Sequence, residues 1–344
     1  GDHDHLIFGN FAIPDPFQNQ RGGTEMTDPE LSVIIPVYNG VATLAATLES
    51  MIDQGDRAIE ILAVDQASSD GSRAILEDFA TRLPIRIIDA PNSKNWMENT
   101  NIGLQAAAAP LVTMLHQDDV WLPGRVDVML GLADKYPSAQ LWLHPAWFMD
   151  SENRFSGTFG PAFGKHERLI KGRDALLSLI VQNSIAIPSA VFRRDTALKL
   201  GGLSPELWYT ADWDFWLKLV AAGPVAWTPQ KLAAFRIHEN SQTVQGSRDM
   251  KDFESQLSIP LERHVNSLPA AHIARAKALA EASNCLNVYL AARYHKQPAS
   301  VLPFVGKFLR LGPFGFVAFF KNTRIISRLL PRLRILKKGS RRVA

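Results

Sequence analysis

The chain has 344 residues, 46% hydrophobic and 21% charged, a balance that permits a full core and excludes wholesale disorder or a collagen-like repeat. Its single cysteine, Cys285, excludes an intrachain disulfide or a multi-thiolate zinc site and suits a reducing, cytoplasmic compartment. The net charge of +3 hides a division: residues 301–344 hold eleven Lys or Arg and no Asp or Glu, against 26 basic and 34 acidic residues before them.

Gly1 to Glu25 lacks the basic start and apolar run of a secretory signal. Residues 1–30 read as a solvated leader, either unfolded or added ahead of a native start at Met26. His3 and His5, alternating with Asp2 and Asp4, also offer metal capture.

From Leu31 the chain alternates apolar β-type runs with helical patterns, which predicts an α/β fold: a mostly parallel sheet flanked by helices. LSVIIPVY is the first strand. Val41, Leu44, Ala45, Leu48, Met51 and Ile52 recur behind it at helical spacing. Ile59 to Val64 is a second strand, Arg73 to Arg82 a helix, Ile85 to Ile88 a third strand and Pro110 to Leu115 a fourth. Beyond Trp121 come a helix through Tyr136, a strand through AQLWLHPAWF, a hairpin-like stretch from Arg154 to Gly164 and a helix ending near Gln182. IAIPSAVFRR reads as a strand, and ADWDFWLKLVAAG as a short helix stopped by Gly223-Pro224. After His238 the pattern is helical to about Lys296.

Chemistry in such sheets gathers at the carboxyl ends of the strands. Tyr38-Asn39, Asp65-Gln66 and His116-Gln117-Asp118-Asp119 all stand there. The adjacent Asp118 and Asp119 repel each other unless a cation or donor compensates, so a divalent metal is their natural partner; alone, the pair also reads as a turn. Gln66 carries the donor and acceptor that a nucleobase edge requires, and Asp65 an acceptor for ribose hydroxyls. Asp70 reads as a helix cap.

LSVIIPVYNG, VDQASSDGS, NTNIGLQAA, LHQDDVWLPGR, ADWDFWLKL and FRIHENSQT occur in the order and spacing of family-2 glycosyltransferases of the GT-A fold, which the chain resembles from Leu31 to Thr243. The resemblance implies that residues 31–245 form the catalytic domain of an inverting, metal-dependent transferase using Mn2+ or Mg2+. Its donor would be a nucleotide-diphosphate sugar. Pro36, Val37 and Tyr38 would line the nucleotide, with Gln66 where a base-reading Asp or Asn is usual. Asp119 would be the first metal ligand, with Asp118 on the ribose or on the metal's water. The usual metal motif DxDD survives here only as its last two acids. Asp212 corresponds to the general base, with Ala211 where Glu is common and Asp214 as the fallback; the same acid also reads as a helix cap. His238 would complete the metal or diphosphate site or serve the structure, and Arg236 would meet phosphate oxygens or a surface acid. Asn101 and Gly103 match the donor-contacting segment. Trp208 and Tyr209 would floor the acceptor sugar, whose C–H face packs on aromatic rings; Trp213 and Trp216 read as core.

Other signatures fail. Gly160 to Lys165 is one residue short of a P-loop, and neither GxGxxG after the first strand nor GxSxG occurs. A nucleotidyltransferase would need a Gly-rich, basic loop after Pro36, where none stands. The departures at Gln66, His116 and Ala211 keep open a nucleotide-binding or regulatory module without turnover.

Residues 246–300 read as a helical extension and 301–344 as a basic amphipathic tail. Leu311 to Phe320 is the tail's longest charge-free run, about half the ~20 residues of a spanning helix. Ile325, Ile326, Leu329, Leu330, Leu333 and Leu336 make an apolar stripe beside Arg324, Arg328, Arg332, Lys337 and Lys338, an interfacial pattern. So many Phe and Leu favour an anionic membrane surface over nucleic acid; a helical subdomain or oligomer contact is the plainer alternative. The expectation is a peripheral enzyme on the inner face of the cell membrane, acting on a glycan or polyprenyl-linked acceptor.

Overall fold

The computed structural model describes residues 28–237 and 247–331; the leader, His238 and residues 332–344 lie outside the described residues. Strand β1 (Leu31–Val37) is buried at every position, as an apolar run covered on both faces must be. It lies parallel to β2 (Ile59–Asp65) on one side and to β4 (Leu111–Met114) on the other, with β3 (Ile85–Asp89) beyond β2. The connections carry α1 (Leu44–Glu49), α2 (Ser72–Phe79) and α3 (Trp96–Ala106). Asn95 caps α3 by accepting the Glu98 N–H, while Glu98 accepts the Lys94 N–H. A glycine lets α3 approach the sheet: a Cβ at Gly103 would lie 2.5 Å from Ile34 Cγ2.

The sheet continues past β4 with β10 (Ala190–Arg193), β6 (Leu141–Leu143), β11 (Val225–Trp227) and β9 (Arg168–Ile170). β10 runs antiparallel between β4 and β6, and β9 antiparallel to β11, so the mostly parallel sheet expected from sequence is wholly parallel only in its first half. A second sheet has the order β5 (Val120–Trp121), β12 (Ala233–Arg236), β7 (Ala146–Met149), β8 (Phe155–Phe159).

AQLWLHPAWF, read above as one strand, is two strands in two sheets. Pro145 has no N–H to continue the ladder, and His144 turns its N–H to the Ser189 carbonyl, so the chain leaves β6 and re-enters as β7. IAIPSAVFRR likewise opens with a 3₁₀ turn, Ile187–Ser189, before β10. Of the hairpin-like stretch, β8 is the strand, paired antiparallel with β7.

Helices α4 (Arg125–Lys135), α5 (Gly172–Leu179), α6 (Arg194–Lys199) and α7 (Ala211–Ala222) cover the second half. Arg125 joins the two sheets: fully buried, it lies 4.2 Å from the Trp121 ring and donates to Thr113 Oγ1, His144 Nε2 and the Pro188 carbonyl. Burial pulls its guanidinium down to about 9.

The C-terminal part consists of α8 (Met250–His264), α9 (Ala270–Tyr294), α10 (Leu302–Arg310), α11 (Gly312–Thr323) and a final helical segment, residues 325–331. Phe253, Leu257, Leu261, Leu279 and Phe319 enter the same core as Trp213, Trp216 and Leu217 of α7, so the extension shares the interior of the α/β part. α10 and α11 meet at 116°, and among the described residues no single helix is long and apolar enough to cross a membrane. Phe304, Phe308 and Phe319 face one another and the core. Leu302, Leu309, Phe314 and Val317 are exposed. Of the expected stripe, Ile325 is buried whereas Ile326 and Leu330 are exposed; Leu333 and Leu336 lie outside the described residues.

Candidate active site

A cleft of about 540 Å³ opens at the carboxyl ends of β1, β2 and β4. One wall comes from those strand ends and α3, the other from α7, the segment before it and the C-terminal helices. Pro36, Val37, Tyr38, Gln66, Asp118, Trp208, Tyr209, Asp212 and Arg236 all line it, so nine of the residues given a ligand role in sequence converge there. Asp65, Asn101, Asp119 and Asp214 are not among the lining residues.

The first wall is organised by its own backbone. Gln117 clasps Tyr38 in both directions: its Oε1 accepts the Tyr38 N–H and its Nε2 donates to the Tyr38 carbonyl, each at 3.0 Å. Gly40 makes room for this, since a Cβ there would lie 2.3 Å from Gln117 Oε1. Gln117 is a cleft residue that the sequence placed at a strand end within HQDD without assigning it a role. Gln66 donates to the Ser93 carbonyl at 2.7 Å and accepts from Asn99 Nδ2 at 3.3 Å, so the bottom of the wall is an oriented amide. Asp65 stands behind it and binds the Ser68 N–H and hydroxyl, shaping the turn that follows β2. Two polar atoms here are buried without a hydrogen-bond partner, Asn99 Oδ1 and His116 Nε2, and both residues line the cleft. Burial lowers the His116 pKa, which favours the neutral ring, and the imidazole meets the edge of Trp96 at 4.8 Å. Leaving such groups unpaired is costly unless a ligand meets them.

The two adjacent acids separate. Asp118 faces the cleft, while Asp119 is buried behind it and accepts the Arg236 N–H at 3.0 Å. Burial and the neighbouring Asp118 charge push the Asp119 carboxyl well up, against the pull of Arg236. Arg236 lines the cleft and pairs with carbonyls rather than with the surface acid considered above: its Nε donates to Asp118 O and its Nη1 to Asp150 O. Among the described residues no group of three His, Cys, Asp or Glu could hold a metal by itself. One cleft carboxylate with a second behind it fits a hard cation that draws most of its oxygens from a bound diphosphate and water.

On the opposite wall the first turn of α7 carries two acids with opposite fates. Asp212 is half-buried on the cleft. Burial raises its carboxyl to about 6, moderated by hydrogen bonds from Asn183 Nδ2 and the Trp213 N–H, both 2.8 Å. Asp214 is fully buried on the other face. Burial alone would raise it, but hydrogen bonds and charge from His264 (2.8 Å) and Lys218 (2.9 Å) outweigh that and hold it well below the usual carboxylate range. The fallback base is thus a structural counter-ion. Ala211, where the resembling family often has Glu, is fully buried, so a carboxylate there would lie in the core.

Trp208 and Tyr209 flank Asp212 and are held from α8. Trp208 Nε1 donates to Asp252 at 2.6 Å, and the Tyr209 ring meets Phe253 edge-on at 4.7 Å. Trp213 and Trp216 are buried, as expected of core residues. Asn101 is a clasp rather than a cleft residue: its amide exchanges two hydrogen bonds of 2.9 Å with the Leu203 backbone.

Residues 32–199 match the model of glycosyl transferase family 2. An uncharacterized protein of Mycobacterium tuberculosis is 30% identical over 217 residues, 60% of this chain and 67% of that protein. The chain belongs to glycosyltransferase family 2. The amylovoran biosynthesis glycosyltransferase AmsE of Erwinia amylovora is 26% identical over 238 residues, 66% of this chain and 83% of AmsE. Among solved structures, S. aureus TarS 1-349 in complex with UDP-GlcNAc superimposes with a TM-score of 0.66 at 15% identity, covering 87% of this chain and 90% of that one. At that identity the likeness bears on the fold alone, which is the GT-A type expected from sequence. The glycosyltransferase has as its GT-A sheet the eight-stranded sheet that runs from β3 to β9, and its helical C-terminal part packs against α7.

Proposed function

We propose that this family-2 glycosyltransferase moves a sugar, with inversion, from a nucleotide-diphosphate sugar to a hydroxyl of a glycan or lipid-linked acceptor, with Asp212 as general base. The observation that carries the proposal is the carboxyl of Asp212: it lies on the cleft, flanked by Trp208 and Tyr209, and its pKa is raised to about 6. A base with that affinity is ionised at neutral pH yet still takes a proton readily. Asn183 and the Trp213 N–H fix its orientation, so it can receive the acceptor proton as the hydroxyl attacks the anomeric carbon.

The nucleotide belongs on the opposite wall, where Gln66, Asn99 Oδ1 and His116 Nε2 offer polar atoms to the base and ribose, and Tyr38 borders them. Asp118, with Asp119 behind it, would hold Mn2+ or Mg2+ together with the diphosphate oxygens. A bound cation there neutralises charge on the departing diphosphate. Arg236 adds a fixed positive charge beside Asp118. The UDP-GlcNAc of the TarS complex supports a nucleotide sugar as donor, and the role named for AmsE supports an acceptor in polysaccharide assembly. His238 as a further metal or diphosphate contact belongs to the same proposal.

The exposed apolar side chains of α10 and α11, in a region with basic residues and no acids, support docking on the inner face of the cell membrane. Because Phe319 is part of the shared core, deleting the tail would expose that core. The cleaner test replaces Leu302, Leu309, Phe314 and Val317 by Ser and measures flotation with anionic liposomes. Undiminished flotation would remove the membrane from the proposal. The donor is tested by melting temperature with UDP, dTDP, GDP and CDP, each with Mn2+ or EDTA. A metal-dependent rise with one nucleotide is expected; no rise with any would favour a module without turnover.

A further inference from the structure

A second cavity, of about 300 Å³, shares no lining residue with the active-site cleft. It lies where β9, the edge strand of the eight-stranded sheet, meets α5 and the end of α11. Side chains two apart on a strand share a face, and Arg168 and Ile170 of β9 both line it. Asp174, Leu177 and Ser178 come from α5 at the i, i+3, i+4 spacing of one helix face. Lys321, in the last turn of α11, supplies the third wall. The charged groups are thus Arg168, Lys321 and Asp174. Asp174 pairs with Arg173 at 3.4 Å, whereas the side chains of Arg168 and Lys321 make no ion pair or hydrogen bond among the described residues. The cavity joins two basic parts of the chain that are far apart in sequence. Around β9 stand Lys165, Arg168, Lys171 and Arg173, all exposed, and the one acid among them, Glu167, is engaged by Lys135 at 2.8 Å. Lys321 belongs to the C-terminal region, which has no acids.

One face of α11 leads from this cavity to exposed apolar side chains. Phe314, Val317 and Lys321 stand at i, i+3 and i+7, a single stripe of the helix, and the two apolar residues are 84% and 69% exposed. Along the axis Lys321 is about 6 Å from Val317 and about 10 Å from Phe314. An anionic phospholipid has the same order of parts: a phosphate, a glycerol and apolar chains. We propose that the cavity takes the phosphate headgroup of an anionic membrane lipid, held by Arg168 and Lys321 while the chains run beside Val317 and Phe314. This rests on the reading of α10 and α11 as a membrane-docking surface, extends that surface to the edge of the sheet and makes it selective for the headgroup. Charge complementarity names the occupant: two unengaged cations stand above the apolar Phe163, Ile170 and Leu177 and continue into an apolar stripe, which suits lipid. Arg168 offers a planar fork to phosphate oxygens, and Lys321 adds a point charge.

The test uses the full chain and lipids too short to form a bilayer, so that binding reports a site and not a surface potential. The protein is titrated by calorimetry with dihexanoylphosphatidylglycerol and, separately, with dihexanoylphosphatidylcholine, each below its micelle-forming concentration. Wild type is expected to bind the anionic lipid at least about tenfold more tightly than the zwitterionic one, and Arg168→Gln with Lys321→Gln to lose most of that preference. Lys165→Gln with Lys171→Gln removes the same charge from exposed residues outside the cavity lining and should retain it. Four results would overturn the subsite: no preference in wild type, an unchanged preference without Arg168 and Lys321, equal losses in the two double variants, or displacement of the lipid by inorganic phosphate at a comparable concentration, which would make this a site for free phosphate. The membrane reading fails on a different measurement, undiminished flotation after Leu302, Leu309, Phe314 and Val317 are replaced by Ser.

Discussion

The two walls of the cleft are built in different ways. The nucleotide wall comes from turns directly after β1, β2 and β4, so the residues that face the ligand are the neighbours of those that form the strands. The opposite wall draws Asn183, Trp208 and Asp212 together with Arg328, which comes from a helical segment far along the chain. The lesson is that parallel strand ends build one cleft wall out of local sequence, whereas the wall that carries Asp212 requires long-range packing. The pair Asp212 and Asp214 shows the same contrast at close quarters. Two residues apart on α7, one is left beside the cleft with its pKa raised and the other is surrounded by cations and lowered. Such a separation of environments is how a fold assigns different work to like groups.

The largest test of that contrast is Asp212→Asn, which should lower kcat by about 10²–10⁴-fold while nucleotide binding, read by calorimetry, persists. A small effect would move the base elsewhere. Asp214→Asn should act on stability: it leaves His264 and Lys218 without their buried counter-ion and should cost about 3–5 kcal/mol in chemical denaturation. Asp214 owes its low pKa to the fold, so this contribution is present above the unfolded carboxylate pKa and is lost as pH falls through the depressed folded value. A stable Asp214→Asn protein with a large fall in kcat would reverse the two assignments.

A smaller effect concerns stability at the base itself. With the Asp212 pKa raised to about 6 in the folded protein, its ionisation opposes folding at every pH above that value. Asp212→Asn should therefore melt higher than wild type at pH 7.5, by about 1–3 kcal/mol, and the gain should shrink as the pH falls toward 4. Equal melting across that range would mean that Asp212 is not strained by burial. The same pKa predicts an acid limb in kcat/KM: activity should decline as pH drops through about 6, where the base becomes protonated. The smallest expected effect is on the nucleotide wall. Asp118→Asn should weaken metal-dependent nucleotide binding by about tenfold, roughly 1.4 kcal/mol, with little change in the melting of the ligand-free protein.

Much of the nucleotide wall was legible in sequence because strand periodicity and turn residues are local signals. Tyr38, Gln66 and Asp118 sit on the cleft for the reason the pattern implies: each follows an apolar run that becomes a strand. Trp208, Tyr209 and Asp212 were legible through the resemblance, and the structure brings them to the same cleft. Asn101 stands inside α3, and in sequence an amide there looks the same whether it meets a ligand or clasps the Leu203 backbone. Gln117 was named in sequence without a role because what it does, pairing with both backbone groups of Tyr38, depends on β1 and β4 lying side by side.

What the sequence by itself determined was the order of strands and helices in the first half, the basic and apolar character of the tail, and the family. These follow from periodicity, local turn chemistry and composition. Only the tertiary structure decided that His144-Pro145 divides one apolar run between two sheets, that Asp119 and Asp214 turn away from the cleft, and that Arg328 turns into it. Each of those outcomes depends on which distant groups surround a side chain, and desolvation and hydrogen bonding to such groups are properties of packing rather than of local sequence.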